Sequence, residues 1–114
     1  MATRKEYWRF VLEQFSEAGE VTSRAMMGEY VLYYRGRVFG GIYDDRLLVK
    51  PVPSALRLMP SASREKPYEG AKEMLLVDNI DDRQFLKELL EQMYEELPAP
   101  KKKKGFKEKQ DDSL

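Results

Sequence analysis

Cysteine and histidine are both absent from the 114 residues of this chain. Disulfides, thiolate zinc sites, iron–sulfur clusters and thiol nucleophiles are therefore excluded. The commonest general base and metal ligand near neutral pH is missing as well. Chemistry would have to come from carboxylates, serines, tyrosines and the basic side chains. Asp44-Asp45 offers two adjacent carboxylates, but a calcium site needs ~6–8 oxygens from an ordered loop and no neighbouring residue supplies the rest. The pair reads instead as a turn. Asp78, Asp81 and Asp82 stand where a helix begins and suit its cap and first turn. Ser23, Ser54, Ser61 and Ser63 sit in no G-x-S-x-G elbow and have no imidazole partner. Gly40-Gly41 precedes no helix, so it is not a phosphate loop, and close packing of a helix over a strand is its expected use. None of the acids falls in a recognisable paired-carboxylate setting. The expectation is a chain that is not an enzyme, with no catalytic residues, no cofactor and no metal.

Three segments are better suited to binding. Arg24-Ala25-Met26-Met27-Gly28 fits a ligand or partner groove beside a close backbone approach at Gly28, with Arg24, Met27 and Gly28 as the contacts. A strand end with two core methionines and a glycine bulge is the favoured reading, since methionine fills gaps in cores at least as often as it binds. Tyr30, Tyr33, Tyr34 and Tyr43 would form an aromatic cluster, part of it on an outer sheet face where tyrosine favours interfaces. Ordinary cross-strand aromatic pairing is the alternative. The run Lys101, Lys102, Lys103, Lys104 would touch nucleic acid weakly and without sequence preference. It would otherwise be a solvated tail.

The elements that must position these groups follow from periodicity. Trp8, Val11, Leu12 and Phe15 share one helical face, so a helix is predicted over Thr3–Ala18, opened by a Thr3-x-x-Glu6 capping box and closed at Gly19. Arg24–Met27 reads as a short strand. Three strands follow, over 30–34, 38–43 and 46–50, joined by turns at Arg35-Gly36-Arg37 and Asp44-Asp45; such short connections make an antiparallel meander. Ser54 is placed as the cap of a short helix reaching Leu58, and 60–72 as a loop. Met74–Val77 reads as a central strand. Asp81-x-x-Gln84 is a second capping box, with Ile80 and Phe85 as a hydrophobic staple. It opens a helix whose stripe is Leu86, Leu89, Leu90, Met93 and Leu97, ended by Pro98. Two amphipathic helices and an antiparallel sheet combine most economically as an α+β layer, the helices covering the sheet.

Composition agrees with a single folded body: 42% of residues are apolar and 35% charged. The zero net charge is a cancellation, since residues 1–97 hold 14 basic and 17 acidic side chains while 98–114 hold 6 lysines and 3 acids. A domain over 1–97 and a Lys-rich flexible tail over 98–114 are expected. Neither a signal-peptide pattern nor an apolar run of membrane-spanning length is present, so a cytoplasmic location is expected.

The stretch Ser23–Lys50 resembles the N-terminal domain of the bacterial TfoX competence regulators. That family shows Arg-x-Met-Phe-Gly, a strand, a glycine turn, an aromatic-containing strand, an acidic turn and a Leu-x-x-Lys ending. Arg24, Met26 and Gly28 match the first element, Gly36 the turn and Phe39 the aromatic. Asp44 and Asp45 match the acidic turn, and Lys50 the closing lysine. Tyr68, the Met74 strand and the last helix follow in the same order. Met27 stands where the family has Phe, and Glu29 where it has a second Gly. The resemblance implies a stand-alone N-terminal domain with a secretion-chaperone-like α+β fold, often dimeric. It further implies a regulatory, protein-binding role without catalysis, with a protein partner from the transcription machinery. The alternative is a weak nucleic-acid accessory acting through the lysine tail. No membrane partner is expected.

Overall fold

The computed structural model describes residues 3–99. The lysine run 101–104 and all of the expected tail but its first two residues lie outside them. The described chain is α+β, as the patterning predicts. It runs α1 (Lys5–Gln14), β1 (Val21–Met26), β2 (Glu29–Tyr34), β3 (Arg37–Ile42), β4 (Leu47–Val49), α2 (Pro53–Leu58), β5 (Arg64–Glu65), β6 (Met74–Leu76) and α3 (Arg83–Met93), which ends in a 3₁₀ turn at Tyr94–Glu96. Every pairing is antiparallel, in one six-stranded sheet of order β1-β2-β3-β4-β6-β5. The meander is thus four strands long: β1 starts at Val21, earlier than the expected Arg24, and pairs with β2 along its whole length.

Its three hairpin loops are each two residues long and share one geometry. Met27-Gly28, Arg35-Gly36 and Asp44-Asp45 all have positive φ at both positions, between 51° and 85°. This is the mark of type I′ turns, whose twist matches that of the flanking strands. Glycine takes that conformation freely, whereas Met27 and Arg35 pay a steric cost of about 1–2 kcal/mol each.

Both helices and α2 lie on one face of the sheet. Val11, Phe15, Leu32, Tyr34, Phe39, Ile42, Leu86, Leu89, Leu90 and Met93 are almost wholly buried between the layers. Phe15 meets Phe39 edge to face with ring centres 5.4 Å apart, and Trp8 stacks flat on Tyr30 at 4.8 Å. Between these sheet-facing positions, alternation turns Leu48 to the other face. It is nevertheless fully buried, because segment 66–74 folds over that side, with Pro67 buried and the Tyr68 ring 6.2 Å from that of Tyr43.

Both expected capping boxes are corrected. α1 begins after Arg4 with no side-chain cap. The Thr3 hydroxyl instead donates to Glu29 Oε1 at 2.7 Å, a carboxylate 26 residues away. In α3 the cap is Asp82, not Asp81: its carboxylate accepts from the Phe85 N–H at 3.0 Å. Ser54 is no cap either. Val52 takes that position with Pro53 first in the helix. The Ser54 N–H and hydroxyl both donate to the Glu96 carboxylate at 2.8 Å, tying α2 to the end of α3. For Thr3 and Ser54 a distant charged partner outcompetes the local backbone bond, whereas α3 simply begins one residue later than expected. The 60–72 loop contains the two-residue β5, and Met74–Leu76 lies one place in from the edge.

Gly40 and Gly41 are also corrected: they admit strands, not a helix. A Cβ on Gly40 would overlap the Leu48 carbonyl oxygen and lie 2.8 Å from Val49 Cα. One on Gly41 would come within 2.6 Å of both the Tyr30 carbonyl oxygen and the Tyr43 ring. No helix among the described residues is long and apolar enough to cross a membrane.

Candidate functional site

The sheet has two unlike edges. At one end β5 is two residues long, and Arg46 holds it through Glu65 and through the Lys66 carbonyl that follows it. At the other, β1 runs six residues with Thr22, Arg24, Ala25 and Met26 all exposed. Its hairpin tip carries Met27, which is 97% exposed, beside Met26 at 45%. These are two of the few large apolar side chains left in water, so the expected core methionines are a correction: they project from the fold.

This projecting hairpin is braced at its base. The Thr3 N–H donates to the Gly28 carbonyl at 3.0 Å. Thr3 Oγ1 and the Asp44 N–H both donate to Glu29 Oε1, at 2.7 and 3.1 Å. The Asp45 N–H donates to Thr3 Oγ1 at 3.3 Å. Arg4 then holds the Asp45 carboxylate through its N–H at 3.0 Å and its Nε at 2.8 Å. These bonds, the backbone one first, lower the Asp45 pKa. Two turns that are 16 residues apart in sequence are thereby locked to the N-terminal segment. The Asp44-Asp45 pair is thus a turn, and among the described residues no cluster of three metal-ligating side chains exists.

Because Met26 and Glu29 flank a two-residue loop, they form a hydrogen-bonded pair, and the pattern alternates back along β1. Arg24 and Thr22 therefore bond to β2, while Val21, Ser23 and Ala25 turn their N–H and C=O groups outward. Arg24 and Gly28 lie on this hairpin with Met27, so three of the expected contact residues are brought together. The four tyrosines are not. Tyr34 is 1% exposed, edge-on to Tyr94 at 5.8 Å, and Tyr30 is half-buried beneath Trp8. Tyr43 is 7% exposed on the opposite face, with Tyr33 half-buried there. Alternation splits them between core and outer face, and the two on the outer face, Tyr33 and Tyr43, are not fully exposed. Burial first, then Tyr68, Glu29 and Tyr33, raises the Tyr43 pKa. Lys50 stands apart from the hairpin, at the end of β4 on the rim of an outer-face concavity with Tyr43 and Tyr68.

Three arginines and three acids hold the frame through long-range bonds that sequence patterns did not point to. Arg46 Nη1 donates to Glu65 Oε1 at 2.9 Å and to the Lys66 carbonyl at 3.2 Å. Arg37 Nη1 donates to the Tyr94 and Leu97 carbonyls at 3.1 and 3.2 Å, and its guanidinium sits 4.4 Å from the Tyr94 ring centre. It thus neutralises the negative end of the last helix. Arg35 pairs with Glu20 at 2.7 Å in the open. Glu96, like Glu65 and Asp45, has its pKa lowered by its hydrogen-bond donors, here Ser54 first. Each of these partners lies at least fifteen residues away in sequence, so no local motif announces it.

A protein of Spirochaeta aurantia described as "Uncharacterized 12.7 kDa protein in trpE 5'region" is 33% identical over 106 residues, covering 92% of each chain. No solved structure gives a significant match. The family model described as TfoX N-terminal domain matches residues 13–97, a span that runs from the last residues of α1 through the whole sheet and α3. With the order of strands, turns and helices that the structure shows, the chain belongs to the TfoX N-terminal domain family.

Proposed function

We propose that this chain is a non-enzymatic regulatory module of competence-regulator type that works by protein contact, and that its first contact is with a second copy of itself through β1. The open β1 edge carries this reading. An unpaired strand of this length is a template for another strand. Its outward-facing groups, at Val21, Ser23 and Ala25, are symmetric about Ser23. A two-fold axis there pairs Ser23 with Ser23 and Val21 with Ala25 of the second copy, and every outward donor meets an acceptor. In that register Arg24 faces Thr22, so the two Arg24 cations do not oppose each other. Met26 and Met27 extend the contact with flexible apolar surface. The dimer would then present regulatory surfaces to a further protein partner, in the cytoplasm.

Sedimentation velocity at ~100 μM tests this, a range in which weak strand-mediated pairs associate. The wild-type chain is expected to sediment as a dimer. Ala25→Pro removes one outward N–H without breaking a bond to β2, and is expected to sediment as a monomer with unchanged circular dichroism. A wild-type monomer at that concentration, or an undiminished Ala25→Pro dimer, would sink the reading.

A further inference from the structure

The outer face of the sheet holds an open concavity of about 330 Å³, set between β3, the end of β4 and segment 67–74. Tyr43 and Tyr68 line it, their rings inclined by 59° to each other. Val38 and Pro67 add apolar wall. The same lining contributes two ammonium groups, Lys50 and Lys72, against one carboxylate, Glu73. Lys50 is half-buried, and none of these three charges makes a salt bridge among the described residues.

The shape is built in advance. Tyr43 lies across Gly41, where a Cβ would meet its ring. Arg46 clamps the opposite wall: beyond its bonds to Glu65 and the Lys66 carbonyl, Nη2 donates to the Pro67 carbonyl at 3.4 Å. A site already held in shape loses little freedom when occupied. Its volume and its mixture of apolar wall with a few charged groups suit a small molecule. Lys50 and Lys72 bring two ammonium groups with no salt-bridge partner among the described residues to one concavity, so an anion is attracted there. Glu73 opposes a second negative group.

We propose that this concavity binds a small organic monoanion with a flat apolar body, an aromatic carboxylate, with its charge toward Lys50 and Lys72 and its ring against Tyr43 and Tyr68. The site is separate from the β1 edge, so its occupancy and the dimer stand or fall independently.

The test is an NMR titration of the full chain, following backbone amides, with 2-naphthoate and with its neutral counterpart 2-naphthamide. Saturable shifts are expected at amides around Val38, Tyr43, Lys50, Tyr68 and Lys72, with a dissociation constant on the order of 1 mM or tighter. The amide is expected to bind about 10-fold more weakly. Lys50→Met and Lys72→Met, which keep the apolar stems, should each weaken naphthoate about 5-fold or more and leave naphthamide unchanged. Tyr68→Ala should weaken both ligands, and since Tyr68 is 59% exposed it should leave the protein folded, with an unchanged circular dichroism spectrum. Absence of saturation at ten times the expected constant, equal affinity for acid and amide, or indifference to both lysine substitutions would overturn the proposal.

Discussion

Replacing Gly40 with alanine puts the closest strand contact in the sheet under direct strain. The new Cβ would overlap the Leu48 carbonyl oxygen and stand 2.8 Å from Val49 Cα and 3.0 Å from the Leu48 carbonyl carbon. All three are backbone atoms, so no rotamer change makes room. Either β3 or β4 must move, and β4 is only Leu47–Val49, each residue fully buried and paired to Ile42, Gly41 and Gly40. Overpacking in a core that can yield costs ~1–3 kcal/mol. With a rigid ladder on the receiving side, the upper end applies, about 3 kcal/mol, out of a total stability of ~5–15 kcal/mol. At ~4–8 °C per kcal/mol for a domain near this size, the midpoint should fall by roughly 12–24 °C. Urea and thermal unfolding followed by circular dichroism read both quantities. Gly19→Ala is the control: nothing lies within 4 Å of its Cβ, but φ is +68°. It carries only the left-handed backbone cost of about 1–2 kcal/mol. A Gly40→Ala loss below ~1 kcal/mol, or below that of the control, would refute the claimed approach of β3 and β4.

Leu89→Ala or Leu90→Ala should cost ~2–5 kcal/mol in urea unfolding, because both side chains are fully buried between α3 and the sheet; a loss under half of the lower value would mean α3 is not docked. Met27→Asn should stabilise by about 1 kcal/mol, since φ there is 53° and asparagine tolerates that conformation before glycine; an unchanged midpoint would count against the type I′ turn. Asp45, Glu65 and Glu96 have folded pKa values lowered from 3.8, 4.5 and 4.5 by their donors. Their stabilisation is therefore present above those values and is lost as pH falls through the lowered ones. The thermal midpoint should be flat near neutrality and drop in acid, and Glu96→Gln should shrink the drop. A midpoint that rises on acidification would contradict the three contacts.

Local pattern carried the two long helices and the middle of the sheet. The apolar spacing of Val11 and Phe15, or of Leu86, Leu89, Leu90 and Met93, places the side chains on one face whatever the helix meets, and all six are buried. The helix ends were less legible. Thr3 and Ser54 have capping chemistry, but Glu29 and Glu96 offer charged acceptors that only folding brings near. Candidate binding residues divide in the same way. Arg24, Met27 and Gly28 stay together because they share one hairpin. The tyrosines part because a period of two sends neighbours to opposite faces, and because segment 66–74 then covers one face and not the other.

The sequence by itself determined what chemistry is absent, the strand order of the meander and the α+β class, since these depend on composition and on spacing within about ten residues. Only the tertiary structure decided which sheet edge stays open, where Arg37, Arg46 and Glu96 find their partners, and that Lys50, Lys72, Tyr43 and Tyr68 share a concavity. The long-range bonds made by Arg37, Arg46 and Glu96 join residues 19 to 60 apart. Such pairs form through competition between distant partners for the same donor, and nothing in a local window encodes which partner wins.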